Sequence, residues 1–119
     1  MATVDTFKHV KDTQNFSAGS IIFNEGDQGD LMYVVQEGEL EVYYRNKVIE
    51  TIGPGGLVGE MALVDQSPRS ATVIAKTDCK LVCLDETGFK IHVSHTPFFA
   101  VQVMRIMVER LRRMLQYVV

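Results

Sequence analysis

Residues 20–45, SIIFNEGDQGDLMYVVQEGELEVYYR, decide the fold: short apolar segments (SIIFN, LMYVVQ, ELEVYYR) are divided by the glycine-bearing turns EGDQGD and EG, the punctuation of an all-β chain. Leu40, Val42 and Tyr44 alternate with Glu39, Glu41, Tyr43 and Arg45, the period of a half-buried strand. Asn46-Lys47 supplies a turn into VIETI, so a hairpin is expected there. Farther along, SATVIAKT and CKLVCLD read as a second strand pair joined near Asp78. Glycines 19, 26, 29, 38, 53, 55, 56 and 59 supply the corners of a compact roll. Asp27 and Asp30 read as corner residues too, because their spacing does not fit a twelve-residue calcium loop.

The remaining bulk properties narrow the field. A chain of 119 residues, 46% hydrophobic and 23% charged, suits one soluble domain, residues 1–119, with the roll over about 16–85. A net charge of −3 offers no overall attraction for a polyanion, so direct nucleic-acid and membrane-surface binding are not expected. Cys79 and Cys83 share an apolar β-branched run; in a strand they stand roughly 13 Å apart, too far for a disulfide, and read as reduced core thiols. With no signal-like N-terminus and no uncharged membrane-length stretch, a cytoplasmic location is the default.

From Pro97 the period becomes helical, and a long C-terminal helix is expected over about 97–117, opened by Thr96 as N-cap and Pro97 in the first turn. Val101, Met104, Val108, Leu111, Leu115 and Val118 form a seam spaced 3, 4, 3, 4, 3, with Gln102, Arg105, Glu109, Arg112 and Gln116 on the polar face. Phe99, Val103, Ile106, Met107 and Met114 widen the apolar surface beyond one contact face, which favours a homodimer helix over a helix that only packs on its own core. Arg110, Arg112 and Arg113 read as a solvated basic face.

Between the β halves lies GPGGLVGEMALVDQSPRSATV, residues 53–73, which combines glycines, a short helix start, an acid and a base. Gly59 lacks the Cβ that would keep a phosphate from the backbone, and Glu60-Met61-Ala62-Leu63 can form a helical turn with N–H groups toward an anion. Arg69 adds a planar fork for two phosphate oxygens. Glu60 would repel a phosphate it faced, and so reads as an acceptor for a neighbouring sugar hydroxyl. Ser70 adds a hydroxyl donor and Ala71 a backbone amide.

The order and spacing of Gly59, Glu60, Ala62, Leu63, Pro68, Arg69, Ala71 and Thr72 resemble the phosphate-binding cassette of the cyclic-nucleotide-binding domain family, and FSAGSIIFNEGDQGDLMYVVQEGELEV, residues 16–42, resembles the first half of its β-roll. The resemblance implies a mainly β fold: an eight-stranded β-roll of jelly-roll type, with a short cassette helix and the long C-terminal helix. It implies a ligand, cAMP favoured over cGMP, bound at Gly59, Glu60, Met61, Ala62, Arg69, Ser70, Ala71 and Thr72. Glu60 would take the ribose 2′-hydroxyl, Arg69 the exocyclic phosphate oxygens, and the amides of Met61, Ala62 and Ala71 the rest. Where the family places base-contacting residues on the long helix, this chain has Met114, Leu115 and Tyr117, an apolar lid. Had the fold outlived its ligand, Glu60 and Arg69 would pair with each other.

Catalysis finds no footing. No nucleophile stands in an elbow or triad order, and His92, His95, His9 and the two cysteines make no metal spacing, the histidines reading as surface or capping groups in a loop-to-helix region. The expectation is a regulatory sensor that needs no cofactor or metal. It would act through a homodimer or an unidentified protein partner, without an attached output domain.

Overall fold

The computed structural model describes residues 3–116. Its strands are β1 (Gln14–Phe16), β2 (Ile21–Phe23), β3 (Met32–Glu37), β4 (Leu40–Tyr44), β5 (Lys47–Ile52), β6 (Leu57–Val58), β7 (Thr72–Ala75) and β8 (Cys79–Leu84). Three helices join them: α1 (Glu60–Asp65), α2 (Glu86–His95) and α3 (Pro97–Gln116). The strands make two antiparallel four-stranded sheets, ordered β1-β8-β3-β6 and β2-β7-β4-β5. This is the eight-stranded roll with a short and a long helix that the resemblance implied, with α2 in addition.

β3 shows why the first sheet forms the middle layer. Its side chains point alternately to opposite faces. Tyr33 and Val35 enter the core between the sheets, whereas Met32 and Val34 enter a second core against the helices. Four consecutive residues are therefore buried, which explains the unbroken apolar run MYVV. β8 repeats the arrangement, with Cys79 and Leu81 between the sheets and Val82 and Leu84 toward the helices. The helix-side core is completed by Val4 and Phe7 before β1 and by Phe99, Val103 and Ile106 on α3.

Several local expectations are corrected. The β4–β5 hairpin forms, but it turns at Arg45-Asn46, one residue earlier than expected; both have left-handed φ (53° and 63°), the geometry of a two-residue hairpin turn that Asn tolerates well. The register slips between Val42 and Tyr43, so the inward alternation of Leu40 and Val42 does not continue and Tyr44 is exposed. SATVIAKT and CKLVCLD are not partners: β7 pairs with β2 and β4, β8 with β1 and β3, and the chain changes sheets at Asp78. Both cysteines are free, Cys79 buried and Cys83 half-buried, and burial raises the Cys83 thiol above its ordinary value.

The loop-to-helix region expected around His92 and His95 is the helix α2. Asp85 caps this helix by accepting the Gly88 N–H at 2.7 Å. The His92 ring packs edge-on against Phe7, centroids 4.7 Å apart, while His95 is exposed. α3 corrects one assignment and separates two apolar faces. The regular seam Val101, Met104, Val108, Leu111 and Leu115 faces solvent, and Gln102, assigned to the polar face, is buried. Phe99, Val103 and Ile106 face the core instead. The seam's last member, Val118, lies outside the described residues.

Candidate functional site

Gly59 opens α1 with a left-handed φ of 82°, and a Cβ there would fall 2.7 Å from Arg69 Nη1 and 2.9 Å from the Leu31 carbonyl. Conformation and space both require glycine. α1 ends at Gln66, also left-handed, where the Asp65 carboxylate accepts the Ser67 hydroxyl at 2.6 Å and the Ser67 amide at 3.0 Å. The hydroxyl bond, then the amide bond, holds the Asp65 carboxyl below its usual range. This tight corner returns the chain to Arg69, beside the start of α1.

The Arg69 side chain is only 7% exposed. Its Nη2 donates to the Leu31 carbonyl at 2.8 Å and its Nη1 to the Gly59 carbonyl at 3.3 Å. The Phe23 ring lies 4.2 Å from the guanidinium carbon, a cation–π contact. Nε is buried without a hydrogen-bond partner. A guanidinium normally satisfies its five donors when withdrawn from water. Here carbonyls and a ring hold it, and no ion pair to it occurs among the described residues. Burial raises the nearby Tyr33 phenol above its ordinary value, with Cys83 adding to the rise and the Arg69 charge opposing it.

The other cassette residues gather around this point. Glu60 is buried at the start of α1, and Met61 is exposed beside it with its sulfur 3.8 Å from the Ser70 hydroxyl. The Ala62 amide makes a long turn bond of 3.3 Å to the Gly59 carbonyl. Ala71 is buried, and the Thr72 hydroxyl oxygen accepts the Glu25 amide at 3.0 Å, tying β7 to the β2–β3 loop. Met114 and Leu115 are exposed on the last turns of α3, and Tyr117 lies outside the described residues.

Glu60 and Arg69 do not pair. Glu60 Oε1 instead accepts Arg110 Nη1 at 2.7 Å, and Arg110 also donates through Nε to Glu50 at 3.2 Å and through Nη2 to the Leu57 carbonyl. Arg113 reaches the same Glu50 at 3.0 Å. Arg110 is therefore not on a solvated face and fastens α3 to β5 and the cassette, while the half-exposed Arg113 adds a second tie to β5. Sequence reading missed Glu50 altogether. The signal for Arg110 was its place on the stripe Phe99, Val103, Ile106, Arg110 and Arg113, spaced 4, 3, 4, 3. A cavity of about 90 Å³ beside this network, reaching Gly53, Pro54 and Ile106, is far smaller than the roughly 300 Å³ of a small-molecule site.

No group of three or more potential metal ligands occurs among the described residues, and no helix there is long and apolar enough to cross a membrane. The family model described as the cyclic nucleotide-binding domain matches residues 13–93. A cAMP-dependent protein kinase regulatory subunit of Eremothecium gossypii is 40% identical over 74 residues, which cover 62% of this chain and 16% of that protein. A solved structure of PKAR CBD2 with Sp-2Cl-cAMPS bound superposes with a TM-score of 0.74 at 31% identity, covering 90% of this chain and 70% of that one. The catabolite activator protein of Thermus thermophilus gives 0.77 at 27% identity, covering 89% of this chain and 53% of the activator.

The Arg110 network has a measurable consequence. Arg110→Ala leaves the mostly buried Glu60 carboxylate without its cation and Glu50 with Arg113 alone, and is expected to destabilise the fold by on the order of 3 kcal/mol in urea denaturation. An unchanged midpoint would mean that the network does not hold α3 in place.

Proposed function

The chain belongs to the cyclic nucleotide-binding domain family, a family of binding modules and not enzymes, and from that premise we propose that it is a cAMP sensor whose ligand docks on the Gly59–Thr72 cassette. One observation carries the reading: the guanidinium of Arg69 is buried beside the glycine lip of α1 with its Nε donor unpartnered. A cyclic phosphate, one negative charge with two exocyclic oxygens, supplies what that group lacks.

In this proposal Arg69 binds the exocyclic oxygens, and the Met61, Ala62 and Ala71 amides with the Ser70 hydroxyl complete the cradle. Gly59 and Thr72 shape its two ends. Glu60 accepts the ribose 2′-hydroxyl while keeping its bond to Arg110, so the ligand is one residue away from α3. Occupancy then shifts the population of α3 positions, bringing Met114, Leu115 and Tyr117 over the base. An apolar lid makes no polar demand on the purine. The preference for cAMP over cGMP is accordingly modest, with Ser70 the residue through which cGMP would gain.

The output surface within this chain is the solvent face of α3. Val101, Met104, Val108, Leu111 and Leu115 are all exposed at alternating three- and four-residue spacing, the pattern of a two-helix seam, and a second copy of the chain is the proposed occupant. The free thiols support a reducing, cytoplasmic setting.

Two measurements test these assignments. In calorimetry, Arg69→Ala should weaken cAMP binding by about a hundredfold or more, and thermal melts should rise with cAMP, less with cGMP, and not with 5′-AMP. Equal affinity of variant and parent would remove Arg69 from the site, and no shift with any nucleotide would favour a ligand-free interaction module. In sedimentation velocity at micromolar concentration the chain should run as a dimer that Leu111→Glu dissociates; a monomer throughout contradicts the seam.

A further inference from the structure

Two glycines three residues apart in the β2–β3 loop have opposite physical reasons for being glycine. Gly26 has a left-handed φ of 86° and open space where a Cβ would be. Gly29 has no left-handed φ, but a Cβ there would fall 2.4 Å from both Nε and Nη2 of Arg69. Gly26 satisfies a turn. Gly29 makes room for an arginine.

The rest of the loop also serves that side chain. The Gly26 amide donates to the Arg69 carbonyl at 2.8 Å, and the Arg69 amide donates to the Asp27 carbonyl at 2.9 Å. Leu31 accepts Nη2, and the Phe23 ring covers the guanidinium. Backbone, Nη2 and ring face are thus fixed by residues 23–31, none of which lies in the cassette, and Nη1 alone is held from the cassette, by the Gly59 carbonyl. Among the nitrogens of the head group, only Nε remains buried and unpartnered.

We infer that Gly29 and Phe23 are positioning residues for Arg69, forming a slot that holds the guanidinium in the orientation from which it meets the ligand phosphate. The slot rests on the cAMP reading for its purpose, but not for its existence. Phe23 attracts the cation through its ring face, and Leu31 and Gly59 engage its two Nη groups. The absent side chain at position 29 lets the guanidinium lie against the loop backbone. Because the clash created by a Cβ falls on the far end of a flexible side chain, Gly29→Ala displaces the guanidinium and leaves the roll intact.

The test compares Gly29→Ala, Phe23→Leu and Phe23→Tyr with the parent, each alone and in an Arg69→Ala background. Gly29→Ala is expected to melt within a few degrees of the parent yet bind cAMP roughly tenfold to a hundredfold more weakly. Phe23→Leu loses roughly tenfold, and Phe23→Tyr restores binding by restoring the ring. In the Arg69→Ala background neither substitution at 23 or 29 costs anything further, a non-additivity that a merely structural role would not produce. Losses that multiply in the double variants, or a Gly29→Ala protein that binds as the parent does, would overturn the slot. One readout needs no ligand: the Arg69 Nε–H signal in NMR, slow to exchange with solvent in the parent, should exchange rapidly in Gly29→Ala. An unchanged exchange rate also overturns the slot, whereas a parent that fails to bind cAMP defeats only the functional reading.

Discussion

A cation withdrawn from water without an anion beside it is the constraint around which this roll is arranged. Taking a guanidinium out of solvent costs several kcal/mol unless its donors are met. Arg69 meets that cost with two backbone carbonyls and an aromatic face, and one nitrogen, Nε, is left without a partner. Those partners come from separate elements: Gly59 from the lip of α1, Leu31 from the approach to β3, Phe23 from the end of β2. Each is placed by the two-sheet architecture, so the roll itself is what preorganises the charge. Preorganisation of this kind spares the ligand the work of gathering its own partners.

The second charged cluster performs a different task. Arg110 joins Glu60 in the cassette to Glu50 on β5 and to the Leu57 carbonyl, and Arg113 doubles the link to Glu50. Helix α3 is therefore held by its apolar stripe at one end and by ions at the other. Hydrophobic contacts at Phe99, Val103 and Ile106 fix the part of the helix near the sheet. The ionic end is anchored to the residue that the proposed ligand would touch. A helix anchored in this way can respond to occupancy without any wholesale change in the core.

The family resemblance supplied the eight-stranded roll and the expected ligand, while the sequence itself showed strands, glycine corners and an acid–base loop because these depend on local chemistry. Gly59 before Glu60, Pro68 before Arg69, and apolar strands between glycine corners are fixed by backbone geometry and side-chain type, which neighbouring residues reveal. It misled where the answer lay in packing. α3 carries two regular apolar stripes, and periodicity cannot say which one faces the core. Reading Arg110, Arg112 and Arg113 as one solvated basic face put Arg110 in solvent and left Glu50 unread. β7 and β8 looked like a hairpin because they adjoin in sequence; their change of sheet at Asp78 becomes visible only when β3 and β4 have claimed them. α2 was obscured by Gly88 and by the β-branched Ile91 and Val93, all poor helix formers, although Asp85 was in place as its cap.

The account stands or falls on whether the leftover donor of Arg69 receives a phosphate. NMR of the Arg69 Nε–Hε pair during titration with cAMP observes that event directly, with 5′-AMP as the control that shares base and ribose but lacks the cyclic ester. The account predicts a downfield movement of that signal with cAMP, saturating as the site fills, and none with 5′-AMP. A signal that stays in place while cAMP binds would contradict it.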